Sequence, residues 1–207
     1  MALDNWIAFT FASILLTLIP GPSVLLVISQ ALTKGKNAAI MCILGDMIGT
    51  VVLIVLSLLG VGALLATSAV LFQIVKWAGI FYLAYLGISQ LIGAGKQVEK
   101  NSDAESSAQS SWRSFWAGSI TAVLNPKAII FYMAFLTQFI DVNGNFILQM
   151  GILTLTSVIV VAVLLTGYAI VAARAQKSFQ SRKAQKAIGY TGGGLMLGGS
   201  ALMAATR

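Results

Sequence analysis

The sequence contains no histidine and only one cysteine among its 207 residues. Zinc and haem sites use mainly imidazole and thiolate ligands, so a metal centre of the usual kind would find at most one such ligand here. A single cysteine also excludes a disulfide within the chain and an electron carrier that cycles a pair of thiols. We therefore expect no metal and no cofactor, and we expect Cys42 to be a small core residue.

Charged residues are also scarce, at 9% of the chain, whereas hydrophobic residues make up 58% and the mean hydropathy is +0.90. This composition is too apolar for a soluble domain and predicts an all-α integral membrane protein. Six stretches are long enough to span a bilayer: about 6–30, 38–66, 69–92, 114–140, 146–173 and 187–205. The first exceeds a signal-peptide core in length and lacks a clear cleavage site, so we expect it to remain as the first helix.

The cations behind the net charge of +7 are concentrated in alternate loops, which argues against a nucleic-acid partner. Because Lys and Arg in short loops mark the cytoplasmic side, the odd-numbered loops are predicted inside the cytoplasm and both termini outside. The basic fifth loop is predicted to lie on anionic lipid headgroups, and a solvated loop is the alternative. The cations of the odd loops are Lys34, Lys36, Lys96, Lys100, Arg113, Arg174, Lys177, Arg182, Lys183 and Lys186.

Residues 93–113 separate the third and fourth spans, and their small, polar residues of mixed charge predict a flexible linker. Residues 1–207 then form one transmembrane domain with a three-helix half at 1–92 and another at 114–207. An odd number of spans in each half requires the halves to cross the membrane in opposite orientations, which predicts an inverted repeat. Similarity between T-L-I-P-G-P at 17–22 and T-A-V-L-N-P at 121–126 agrees, although chance similarity of apolar helices is the alternative.

All three prolines interrupt predicted spans, in Pro20-Gly21-Pro22 and in Asn125-Pro126-Lys127. Proline removes a backbone donor and clashes with the preceding turn, so each motif frees backbone groups at a depth where lipid cannot satisfy them. Gly or Asn followed by Pro is typical of a helix that restarts, and its free N–H groups favour an anion such as a carboxylate. Paired interruptions in two halves predict a substrate site at the bilayer midplane, formed by these two motifs. Two simple proline kinks are the alternative.

Three charged residues lie within predicted spans. Because a charge inside a membrane is costly, each of them is a candidate for a functional role. Asp46 and Lys127 are predicted at the depth of Gly21, where they would bind a zwitterion through its amino group and its carboxylate, respectively. A structural ion pair between the two is the alternative. Asp46, the only acid well inside a span, is also the candidate for proton coupling. Lys76 is expected to extend to the lipid headgroups.

Small residues predict close helix packing. Glycines four residues apart, at 45 and 49, 189 and 193, and 194 and 198, allow helix backbones to approach each other. We expect these contacts within one protomer, and a homodimer seam is the alternative.

The ordered motifs make the chain similar to the LysE/RhtB family of bacterial amino-acid exporters over essentially its whole length. The matching residues are P-G-P at 20–22, Gly35, Gly45 with Gly49, K-W-A-G at 76–79, Y-L-A-Y-L-G at 82–87, and N-P-K-A at 125–128 with Phe131. The resemblance implies export of amino acids or their derivatives across the bacterial inner membrane by exchange with protons. The termini predicted outside the cytoplasm would then be periplasmic. Residues 131–143 resemble the branch that includes leucine exporters, which implies neutral substrates such as leucine, homoserine or threonine.

Two positions depart from the family pattern, and the first is Thr137, where many members have proline before Gln-Phe. Many members carry an acid in the fifth helix near the position of Val161, and this helix has no charge here. If that acid couples transport to protons in the family, Asp46 takes its place in this chain or the coupling differs.

These features predict a carrier rather than an enzyme. A serine protease would need a histidine base, and an aspartyl protease would need two membrane aspartates. The alternative to a carrier is a passive channel for small zwitterionic solutes, whose flux would not respond to a counter-gradient.

Overall fold

A computed structural model describes residues 1–59, 68–96, 104–141, 143–177 and 182–205, and all regular structure in these ranges is helical. The all-α prediction therefore holds for the described residues. The helices are α1 (Leu3–Leu18), α2 (Pro22–Thr33), α3 (Lys36–Leu58), α4 (Ala69–Lys96), α5 (Ala104–Val123), α6 (Pro126–Ile130), α7 (Phe146–Lys177) and α8 (Arg182–Ala205). A π-helical turn, Phe131–Phe135, and a 3-10 turn, Leu136–Phe139, follow α6.

Among the described residues, two helices, α3 and α7, are long and apolar enough to cross a membrane, and α1 with α2 makes a third span if the bent pair counts as one. Six spans in two inverted halves, at 1–92 and 114–207, stay a prediction.

Two predicted boundaries differ from the ends of the described helices. The second span is predicted to reach residue 66; α3 ends at Leu58, and residues 60–67 lie outside the described part of the chain. The linker predicted over 93–113 is helical at both ends, because α4 runs to Lys96 and α5 begins at Ala104. Alanine, glutamate and glutamine at the start of α5 are good helix formers, which explains why a polar segment continues the helix. Residues 97–103 lie outside the described part of the chain.

The first helix break lies between α1 and α2, which are bent by 53° relative to each other. Gly21 is the N-cap of α2 in an extended conformation, and Pro22 occupies the first helical position, where a missing N–H costs no hydrogen bond. The second break has the same form, with Asn125 as N-cap and Pro126 at the start of α6. The predicted helix restarts are therefore confirmed.

The tightest helix contact joins α3 to α5, the pair of elements that pack most extensively. A Cβ atom added at Gly45 would lie 1.9 Å from the carbonyl oxygen of Phe115, and one added at Gly118 would lie 2.1 Å from that of Cys42. The two backbones therefore touch directly, as predicted, within one protomer. Cys42 is fully buried, which confirms its assignment to the core.

The glycines of α8 differ from Gly45 in the contacts that they allow. A Cβ atom at Gly193 would lie 2.9 Å from the carbonyl oxygen of Gly87, which places this contact between α8 and α4. Cβ atoms added at Gly194 and Gly198 would find no atom within 4 Å. Of the predicted close approaches in α8, the contact at Gly193 is therefore present, and the one at Gly194 and Gly198 is not made by the described residues.

Lys76 does not extend towards the headgroups as predicted, because its side chain is only 9% exposed. It lies on the buried stripe of α4, which also contains Ile80, Leu83 and Gly87 at helical spacing. Packing of α4 against α8 directs this stripe into the protein. The prediction was wrong because the orientation of a helix about its own axis is decided by its neighbours.

Candidate functional site

The two helix breaks meet at one cavity of about 40 Å³, to which α1, α2, α3, α5, α6, the π turn and α7 all contribute. A cavity of this size holds roughly two or three water molecules and is too small for an amino acid. The site would therefore have to widen before an amino acid binds. The polar side chains lining the cavity are those of Thr17, Ser23, Asp46, Thr50, Asn125, Lys127 and Tyr132.

Asp46 provides the carboxylate of the cavity. It is 3% exposed on α3, and the hydroxyl of Ser23 at the start of α2 donates a hydrogen bond to it. Thr50, also on α3, is 4% exposed and lies one helical turn further along the same face. The acid is therefore enclosed by protein and held by a side chain from the first helix break.

Asn125 connects the two breaks. Its Oδ1 accepts a hydrogen bond from the backbone N–H of Lys127 at 3.2 Å, which caps α6. Its Nδ2 donates to Ser23 Oγ at 3.4 Å. Because Ser23 also bonds to Asp46, a polar chain runs from the second break through the first to the buried acid.

The ammonium group of Lys127 lies at the C-terminal end of α1. Its Nζ donates to the backbone carbonyls of Leu16 and Ile19, the latter at 2.6 Å. The last carbonyls of a helix lack partners within the helix and attract cations through the helix dipole, so this is a favourable position for an ammonium. Lys127 also interacts electrostatically with Asp46, but no direct ion pair joins them in the described part of the chain.

Tyr168 of α7 holds the same helix end from another side. Its hydroxyl donates to the carbonyl of Leu18 at 2.8 Å. The carbonyls of Leu16 and Leu18 in the last turn of α1, and that of Ile19 just after it, are therefore bonded by side chains from two different elements. Side-chain hydrogen bonds to backbone carbonyls therefore stabilise the first break, in addition to apolar packing.

Four of the seven residues predicted to bind substrate line the cavity: Gly21, Asp46, Asn125 and Lys127. The three prolines, Pro20, Pro22 and Pro126, are not among the described lining residues. They shape the backbone that brings Gly21 and Asn125 there. A role in substrate binding stays a prediction for all seven.

Several lining residues were missed by the sequence reasoning. Thr50 could have been found, because it follows Asp46 by four positions on one helix. Ser23 and Tyr132 carried no comparable signal. Val161, the position at which many relatives were inferred to have an acid, also lines the cavity, so an apolar wall stands there in this chain.

Two helix restarts around a small cavity with a buried acid and an ammonium, in a strongly apolar helical chain, are typical of a membrane transporter. The sequence comparison defines the class more narrowly: residues 14–206 match the LysE type translocator family, and the chain belongs to it. The prediction of a transporter family, and not an enzyme family, is therefore confirmed.

Two curated relatives align with the whole chain and with 99% of their own length. A homoserine/homoserine lactone efflux protein of Salmonella typhimurium strain LT2 is 34% identical, and one of Salmonella typhi with the same name is 33% identical. No solved structure matches this chain significantly.

Proposed function

We propose that this protein exports amino acids with uncharged side chains, homoserine among them, from the bacterial cytoplasm across the inner membrane in exchange for protons. The observation that carries the proposal is the cavity at which both helix restarts meet the buried Asp46 and the ammonium of Lys127. Membership of the translocator family and the names of the two relatives support export as the direction of transport and amino acids as the substrate class.

In this mechanism the first turn of α2 receives the substrate carboxylate. Gly21 has no side chain to cap that turn, and Ser23 and Val24 line the cavity with it. Free N–H groups and the positive end of the helix dipole favour an anion there. Asp46 lies within the same cavity and alternates between protonated and ionised forms as a substrate ammonium leaves and arrives.

The small volume of the cavity supports a carrier over a channel. A channel needs a continuous path, whereas a site with only about 40 Å³ of free space must widen before a substrate enters. Opening to each side in turn would give alternating access, for which the two broken helices supply the movable segments.

Transport in vesicles tests the proposal. Purified protein is reconstituted into lipid vesicles loaded with labelled homoserine, and efflux is followed with and without an imposed pH gradient. We expect a proton gradient directed into the vesicles to accelerate efflux and a protonophore to remove the acceleration. Flux that does not depend on the pH gradient would favour the passive channel. Absence of flux for every amino acid tried would refute amino acids as the substrate class.

The membrane topology is a separate prediction. Ten of the thirteen cations belong to the odd-numbered loops, so both termini should lie in the periplasm and residues 93–111 in the cytoplasm. Fusions of a reporter enzyme to each loop measure this directly. A periplasmic signal from a fusion within residues 93–111 would contradict the six-span inverted arrangement. Whether the protein forms a homodimer stays a prediction that the fusions do not address.

Gly21→Leu and Asn125→Leu are each expected to abolish efflux while leaving the protein in the membrane. A Cβ atom at Gly21 would lie 3.2 Å from Lys127 Nζ, so a leucine side chain displaces the ammonium and fills the cavity. Asn125→Leu removes both the cap of α6 and the bond to Ser23. Efflux from vesicles, normalised to the amount of inserted protein, is the measurement.

Matched controls lie on α7. Gly151→Leu places leucine at an exposed glycine with no atom within 4 Å of the new Cβ. Asn145→Leu removes another asparagine cap, which accepts a bond from the N–H of Leu148. Both controls should transport as the wild type does. Near-normal efflux in Gly21→Leu and Asn125→Leu would favour simple proline kinks.

A further inference from the structure

The position of the Lys127 ammonium differs from the one that substrate binding would require. A lysine expected to meet a substrate carboxylate instead donates to two backbone carbonyls, those of Leu16 and Ile19. These carbonyls attract any group with a positive charge and several N–H donors. The amino group of an amino acid has the same chemistry as the end of a lysine side chain.

We propose that the carbonyls of Leu16 and Ile19 form the ammonium subsite of the carrier, and that Lys127 occupies it until the amino group of the substrate displaces it. This inference rests on the proposed function for its substrate. It replaces the hypothesis that the amino group binds Asp46 directly and assigns Lys127 the role of an internal competitor.

Space around the first break supports the exchange. The Nζ and Cε atoms of Lys127 lie 3.2 and 3.3 Å from the position of a Cβ atom on Gly21, so the side chain packs directly against the break. With only about 40 Å³ free in the cavity, a substrate amino group reaches the carbonyls only after Lys127 has moved away. The flexible lysine stem allows such a movement without a change in the backbone.

Charge and hydrogen bonding also favour the exchange. Unpaired carbonyls in a membrane protein are costly, so an open site with neither ammonium in place would be unfavourable. Exchange of one ammonium for another keeps both carbonyls bonded. The displaced Lys127 remains near Asp46, with which it already interacts electrostatically, and is then free to contact the substrate carboxylate.

Chemical rescue tests the subsite without requiring transport. In Lys127→Ala the carbonyls lose their partner, and space for a small cation appears. We expect methylammonium at ten times its dissociation constant to raise the Tm of the detergent-purified variant by about 3 °C. Tetramethylammonium has the same charge but no N–H donor, so it should have no effect. The wild type, whose subsite is filled, should respond to neither cation.

Lys127→Met provides a second variant if the alanine variant does not fold, because its long apolar side chain preserves more of the packing. Equal shifts with methylammonium and tetramethylammonium, or no shift with either in the folded variant, would overturn the subsite. Homoserine then tests the competition: once it saturates the variant, methylammonium should add no further shift. Additive shifts would overturn the shared subsite.

The two proposals fail separately. If wild-type vesicles show no homoserine efflux while the methylammonium shift is present, the proposed substrate is wrong and the ammonium subsite stands. If efflux is normal and the shift is absent, the subsite is wrong and the transport function stands.

Discussion

Asp46→Asn is expected to reduce pH-driven efflux to the level of protein-free vesicles, while substrate binding weakens less. Asparagine keeps the size of the side chain and an acceptor for the hydroxyl of Ser23, but it cannot release or take up a proton. Asp46 is the only acid well inside a predicted span, so no other carboxyl group at that depth can replace it. Efflux is measured with and without a pH gradient, and binding through the Tm shift produced by homoserine.

Asp4→Asn is the matched control, because it makes the same chemical change at an exposed residue in the first turn of α1. It should transport as the wild type does. A variant at Asp46 that still couples efflux to protons would contradict the coupling role.

A structural role for Asp46 makes a different prediction. If the carboxylate mainly balances the charge of Lys127, Asp46→Asn should destabilise the protein, and the double change with Lys127→Met should restore transport. Restored proton-driven efflux in the double variant would therefore also exclude Asp46 as the coupling group.

Gly45→Ala is expected to destabilise the protein strongly, lowering the free energy of unfolding by about 3 kcal/mol or more. The new methyl group would lie 1.9 Å from the carbonyl oxygen of Phe115, and a backbone atom cannot turn aside as a side chain can. The helices α3 and α5 would have to separate. Separation would also break the hydrogen bond from Ser119 Oγ to the Gly45 carbonyl, now 2.9 Å long.

Gly194→Ala is the control for this change. It adds the same methyl group on α8 at a position with no atom within 4 Å, so it should leave stability unchanged or raise it by up to about 1 kcal/mol through helix propensity. Thermal unfolding of both purified variants in detergent is the measurement. Equal melting temperatures for Gly45→Ala and Gly194→Ala would show that the close approach of α3 and α5 is not required.

Features that depend on short-range chemistry were predictable from the sequence. The helix restarts at Gly21-Pro22 and Asn125-Pro126 follow from the fixed geometry of proline and the cap preferences of glycine and asparagine. The close approach at Gly45 follows from the absence of a side chain. The burial of Cys42 follows from its size and apolarity. None of these depends on which helix is the neighbour.

Contacts between side chains and distant parts of the chain were not predictable from the sequence. Tertiary packing decided that Lys127 bonds the end of α1 and that Tyr168 joins it there. It also decided that Tyr132 faces the cavity and that Lys76 turns inward. A lysine stem reaches several partners from one backbone position, and its choice among them depends on what packing brings within range.

The sequence by itself determined the membrane class, the all-helical architecture and the two places where proline interrupts a helix, because composition, proline and caps act locally. Only the tertiary structure decided which faces of the helices meet. In a soluble protein, the buried face of a helix is visible in the sequence as a stripe of apolar residues at helical spacing. A helix in a membrane is apolar towards both the lipid and the protein core, so no such stripe marks its buried face. The rotation of each helix, and with it the membership of the site, is therefore set by contacts between distant parts of the chain.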